Sequence, residues 1–286
     1  MPAQSLAAMG NTTEQYLSAF VGAEGKAGKT SFLAASCLGA LPWQTEGLVD
    51  KPENLHIIGF DAAFADGLVD FITKRCGRSD AYLNVSVRSL TGAAKDAGNA
   101  SEWDYAFYSA VMREMKEVKA LAAKGGVHAV VISSLTGLAE GLVSGLSGPP
   151  KSDNKGAGMS MPKWGDFARQ VTALRNEIQD DKLHVFWEGH ISVTSKMEGS
   201  QKVTEESIAI PGQSGRNFGF NVGHVMRLRR ELAKYPGTQV DKVFLDMKPT
   251  MGFMSNGRGA AMLSDRETDL VVVAKKLGKK VGGFKA

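Results

Sequence analysis

The chain has 286 residues, 43% hydrophobic and 22% charged, a globular balance that excludes wholesale disorder, and its length suits one large α/β domain or two small ones. Its 34 basic and 30 acidic side chains leave a net charge of only +4. No global polyanion-binding field is implied, so any nucleic-acid contact must come from local patches.

Two cysteines, Cys37 and Cys76, form neither a disulfide framework nor a metal motif, which fits a reducing compartment. The N-terminal residues lack a basic region followed by an apolar core. The longest apolar stretch, 127–139, falls short of the roughly 20 residues that span a bilayer. The expectation is a cytoplasmic protein with no membrane partner.

In chain order, an apolar strand over 16–21 runs into a glycine-rich turn and a small-residue helix over 30–40. A second strand (55–60) and a helix (64–76) follow, then a third strand near 82–87 and a long amphipathic helix over 101–124. The β-branched run 127–132 reads as a strand buried on both faces. A helix opens at 135–143, and the aperiodic stretch 144–160 reads as a long functional loop. A helix over 162–178 precedes a strand over 183–187, and 195–206 is polar. Strands over 222–228 and 242–247 and a helix over 266–276 complete the series.

Alternating strands and helices predict a mostly parallel sheet covered on both faces, with a C-terminal strand extension. The predicted domain spans 15–277, between an N-terminal tail (1–14) and a basic C-terminal tail (278–286). Lys275, Lys276, Lys279, Lys280 and Lys285 follow the last acid, Asp269, and read as a solvated, frayed end.

The most specific signal is Ala23-Glu24-Gly25-Lys26-Ala27-Gly28-Lys29-Thr30, followed by Ser31. It matches the phosphate-loop pattern G-x-x-x-x-G-K-[ST] with alanine at the first position, between a strand and a helix. Small residues let backbone N–H groups turn inward around phosphate oxygens at a helix N-terminus. Lys29 is then placed for the β- and γ-phosphates of ATP, and the Thr30 hydroxyl for Mg²⁺. Lys26 either joins the cradle or is solvated.

Hydrolysis normally needs an acid at the end of a later buried strand. Ser133 and Ser134 follow the strand at 127–132 instead. Asp61 is the carboxylate best placed to serve metal or water, or else it caps a helix before Phe64.

These residues resemble the RecA-like ATPases of bacteriophages, specifically the Sak-type single-strand-annealing recombination ATPases. The likeness covers roughly 16–277 and rests on AEGKAGKT (23–30), VVISSLTGL (130–138) and MSMPKWGDFARQVTAL (159–174). VFWEGH (185–190), IPGQSGRNFGFNVGHVMRL (210–228, with Ala209 and Ile208 before it) and LSDRETDL (263–270) follow in order.

The resemblance implies a RecA-like P-loop core with ATP and Mg²⁺ as cofactors. It also implies a homo-oligomer acting on single-stranded DNA in phage recombination or replication, inside the bacterial host, with a single-strand-binding or annealing protein as a further partner. It places Ser133 where a metal-associated aspartate is expected, Ala63 near the expected catalytic glutamate, and His190 where a polar residue senses the γ-phosphate. DNA-facing loops are expected at 144–160 and 195–216.

Asp61, Glu188 and His190 are the catalytic candidates, with alternation allowing only one of Glu188 and His190 to face a ligand. Phe218 and Phe220, beside Arg216, are candidates for stacking on bases. Arg216, Lys248 and Arg258 are candidates for DNA phosphates or for a neighbouring subunit's γ-phosphate. Arg227 and Arg229 share one face of a strand, in a finger role or as the solvated side of an edge strand. Because two expected acids are missing, a second reading stands beside the ATPase. It is a nucleotide-binding structural or regulatory assembly protein with weak or no hydrolysis.

Overall fold

The computed structural model describes residues 16–24, 28–60, 68, 70, 73–74, 77, 86–89, 100–147, 159–179, 182–198, 201–211, 218, 222–231, 242–247 and 263–285. The helix expected at 64–76, most of the loop expected at 144–160 and the N-terminal tail fall largely or wholly outside these residues.

Among the described residues nine strands form one mixed sheet: β1 (Ser18–Ala23), β2 (Leu55–Gly59), β3 (Ser86–Ser89), β4 (Ala129–Ser133), β5 (His184–Glu198), β6 (Gln201–Ile208), β7 (His224–Glu231), β8 (Lys242–Asp246) and β9 (Arg266–Glu267). The order is β3-β2-β4-β5-β1-β7-β8-β9, with β6 paired only to β5. From β3 to β7 every neighbouring pair is parallel, whereas β8 is antiparallel to β7 and β9 to β8. The α/β class and the mostly parallel sheet thus agree with the pattern of alternating elements.

Alternation along the strands sorts the core into two layers. Ala19 and Val21 of β1, Ile57 of β2, Val131 of β4 and Phe186 of β5 face α1 (Lys29–Cys37) and α5 (Leu270–Lys276). Phe20, Ile58, Ile132 and Trp187 face the other way, onto α2 (Ala100–Ala123), α3 (Leu135–Ser147) and α4 (Met161–Ile178). Strand β1 is buried because it lies between β5 and β7 with a helical layer on each side.

Local signals explain the helix ends. In α2 the buried stripe Val111, Met115, Val118 and Ala122 recurs at helical spacing. The helix stops where Gly125 takes φ 74°, with Gly125 N–H donating to Ala122 O and Gly126 N–H to Leu121 O. Asp269 caps α5 by accepting from Val271 N and Val272 N. The helix expected at 266–276 therefore begins at Leu270, and the two residues Arg266–Glu267 pair as β9.

Two expectations need correction. The strand expected to end near 187 continues to Glu198 and pairs with β6 from Ile191↔Ile208 to Glu198↔Gln201. The segment 195–208 is thus a two-stranded ribbon rather than a loop. Its polarity reflects exposure, for Ser192, Val193, Thr194 and Ser195 are all open to solvent.

The C-terminal tail is docked rather than frayed. Phe284 N–H donates to Val49 O at 3.0 Å and Gly283 N–H to Gly47 O at 3.2 Å, while Val281 and Phe284 pack against the core. Lys280 sits over the Tyr16 ring.

Candidate nucleotide site

The site forms where β1 turns into α1. Gly28 occupies the N-cap position at φ 71°, ψ 30°, a left-handed conformation that favours glycine, and it has no side chain to cap the helix. No acidic residue lies in the first turn of α1. The positive end of the helix is therefore left for an external anion. Gly25, Lys26 and Ala27 lie outside the described residues. Ala23 ends β1, Glu24 follows it, and Ser31 is buried in the first turn.

Lys29 and Thr30 begin α1 directly opposite the ends of β4 and β5. Lys29 is 5% exposed, and its ammonium lies 3.7 Å from Glu188 Oε1. Burial pulls the Lys29 pKa down, partly offset by Glu188. The Thr30 hydroxyl donates to Glu188 Oε2 at 2.5 Å and lies 2.8 Å from Ser133 Oγ. With its one proton committed to the carboxylate, Thr30 accepts from Ser133.

Ser133, at the end of β4, therefore lies beside Thr30. Its neighbours have separate tasks that the motif alone does not show. Ser134 Oγ accepts from Gly137 N–H at 3.1 Å, capping α3. Thr136 Oγ1 accepts from His190 N–H at 3.1 Å, tying the first turn of α3 to β5.

Glu188 and His190 share one face of β5. They are two residues apart on a strand that continues past them, opposite Val21 and Ala23 of β1. This corrects the expectation that only one of them faces the site. Partial burial, and then the charge of Lys29, lower the His190 pKa, so the imidazole is neutral at pH 7.

Other candidates separate from this cluster. Phe218 is 2% exposed, with its ring centroid 5.1 Å from that of Trp187 in an edge-on contact, so it offers no open face to a base. Its Gly/Asn-rich sequence neighbourhood does not open it to solvent. Asp61, Arg216, Phe220, Lys248 and Arg258 lie outside the described residues.

Arg227 and Arg229 do not lie on an edge strand, since β7 sits between β1 and β8. Arg227 is 1% exposed and donates to Glu206 Oε2 at 2.6 Å, with Asp246 Oδ2 3.4 Å away. Arg229 joins the same two carboxylates from the solvent side. This network borders a recess of about 210 Å³ lined by Ala23, Glu24, Ile191 and Arg230 among others, beside the phosphate-loop turn.

No protein-family model matches the chain, and no curated protein matches it. Among the described residues no helix is long and apolar enough to cross a membrane, and no group of three or more His, Cys, Asp or Glu side chains is placed to hold a metal ion by itself. The residues at the site still suit a magnesium nucleotide. An uncapped helix end, a buried lysine, a threonine hydroxyl and one carboxylate converge there, and a triphosphate would supply the remaining oxygens for a hard cation.

Proposed function

We propose that the chain is an ATP-binding protein with a RecA-like P-loop core that acts on single-stranded DNA as a homo-oligomer. The observation that carries this reading is the left-handed Gly28 at the start of α1, with Lys29 and Thr30 directed at the ends of β4 and β5. The central position of β1 in a mostly parallel sheet supports it, because ligands of such sheets bind beyond the carboxyl ends of the strands. ATP supplies the phosphates and Mg²⁺ their counter-charge. Lys29 holds phosphate oxygens, Thr30 serves the cation, and neutral His190 lies on the same face as a sensor of the γ-phosphate. Arg229 and Arg230 at the recess, with Arg216, Lys248 and Arg258, are the candidates for contact with DNA or with a neighbouring subunit.

A second reading, a nucleotide-gated assembly protein with little turnover, is favoured by Ser133. The end of β4 brings a hydroxyl to Thr30 where an acid would be expected in a hydrolase.

Phosphate release from Mg-ATP, with and without single-stranded DNA, distinguishes the two. The ATPase reading expects release that DNA stimulates and that Lys29→Ala abolishes. Tight nucleotide binding without release under either condition supports the gated reading. Nucleotide binding by Lys29→Ala equal to the parent's sinks both.

A further inference from the structure

The site brings a charge to Thr30 from an unexpected strand. Among the described residues, Glu188 is the acid that touches both phosphate-loop side chains, with Oε2 on Thr30 and Oε1 beside Lys29. It sits on β5, one residue beyond the Ile132↔Trp187 pair, so it is the lateral neighbour of Ser133 at the end of β4. Both residues meet the same hydroxyl, Thr30 Oγ1.

We infer that Glu188 is the metal-associated acid of the nucleotide site, the charge having moved from the end of β4 to the adjacent strand β5. This rests on the phosphate-loop reading above and deepens it.

Glu188 is only 5% exposed, and a carboxylate so buried is costly unless a cation answers it. Without nucleotide, that cation is Lys29. Once Lys29 takes a phosphate oxygen, the Glu188 carboxylate can answer a divalent cation instead, while keeping its hydrogen bond from Thr30. Ser133 then has a different task. By donating to Thr30 it leaves the Thr30 proton pointed at Glu188 and holds both side chains in place. Ser133 positions, and Glu188 supplies the charge.

The test reads cation binding directly. Mn²⁺ is titrated by electron paramagnetic resonance against the full-length protein saturated with a non-hydrolysable ATP analogue. Binding of a fluorescent ATP analogue is measured separately in excess EDTA. Glu188→Gln keeps shape and hydrogen bonding but removes the charge. Its Mn²⁺ affinity should fall about 10- to 100-fold, the range seen when a metal ligand's supporting partner is lost. Adding Ser133→Asp to Glu188→Gln returns a carboxylate to the cluster and should recover most of that affinity.

If Glu188→Gln does not fold, Glu188→Asp carries the test. It keeps the charge but draws it back by one methylene, and a several-fold weakening is expected. Parent-like Mn²⁺ affinity in either folded variant, with Lys29→Ala still losing the nucleotide, overturns the inference and leaves the phosphate loop standing. A parent chain that binds no nucleotide at all overturns the phosphate loop, and the inference with it.

Discussion

The Ser133 hydroxyl lies 2.8 Å from that of Thr30, so β4 and α1 meet through two neutral groups while the charge arrives from Glu188. Replacing Ser133 alone by aspartate sets a second carboxylate beside the first. The nucleotide-free variant should lose about 1–3 kcal/mol of stability, as expected for like charges forced together in a buried site. A proton on either carboxyl relieves the repulsion, so the loss shrinks as pH falls. Thermal unfolding of parent and variant across pH 4–8 checks this; a rise in stability at neutral pH would contradict it.

Arg227 joins β6, β7 and β8 through Glu206 and Asp246. Arg227→Met removes the buried guanidinium and leaves Glu206 and Asp246 to the half-exposed Arg229. A destabilisation of about 1–3 kcal/mol is expected, because one of the two cations remains. Arg227→Lys should restore only part, because an ammonium cannot fork toward both partners. Urea unfolding of the three proteins measures the difference.

His184 and His224 set an acid limit to stability. Burial lowers their pKa values to about 3 and about 4. The unfolded chain binds these protons near pH 6.5, so it holds more protons than the native state between the two values. Stability is therefore complete above pH 6.5. It falls on acidification by about 1.4 kcal/mol per pH unit for each group and levels off below the folded pKa values. Urea midpoints at pH 7, 6 and 5 should decline steadily. A flat profile would mean that the imidazoles are solvated.

The tail depends on a glycine that has no room for a side chain. A Cβ on Gly282 would come within 2.1 Å of the Val49 carbonyl carbon, so Gly282→Ala has to displace the strand-like contact at Gly283 and Phe284. Faster hydrogen exchange at the Phe284 amide and a loss of about 2 kcal/mol are expected. Lys280→Gln, which removes only the contact with Tyr16, should cost no more than about 1 kcal/mol.

The strand–turn–helix around 23–37 was legible because its signals are contiguous: apolar run, small residues, then Gly28-Lys29-Thr30. The parallel core was legible for the same reason, since each buried strand is a short apolar run. Glu188 carries no such local mark. Its partner Thr30 is 158 positions away, and only the neighbouring of β1, β4 and β5 brings the two together. The β5–β6 ribbon departs from its sequence pattern because the exposed run Ser192–Ser195 lacks the apolar alternation that identifies a half-buried strand. The tail was misread because five lysines obscure the anchors Val281 and Phe284. Phe218 was misread in the opposite sense, since glycine and asparagine neighbours say nothing about where one ring packs.

Strand β5 is continuous from the core to the tip of the ribbon. Ten residues separate Glu188 from Glu198, roughly 33 Å of extended chain. Beyond Ile191, among the described residues, its sheet partner is β6. The site and the ribbon are thus two ends of one lever whose fulcrum is the sheet edge near Ile191. From Ile191 to Glu198 is seven residues, about 23 Å of extended chain, so a tilt of about 5° about that point moves the tip by about 2 Å. Small rearrangements of the carboxylate strand would reach solvent as displacements large enough to make or break a contact.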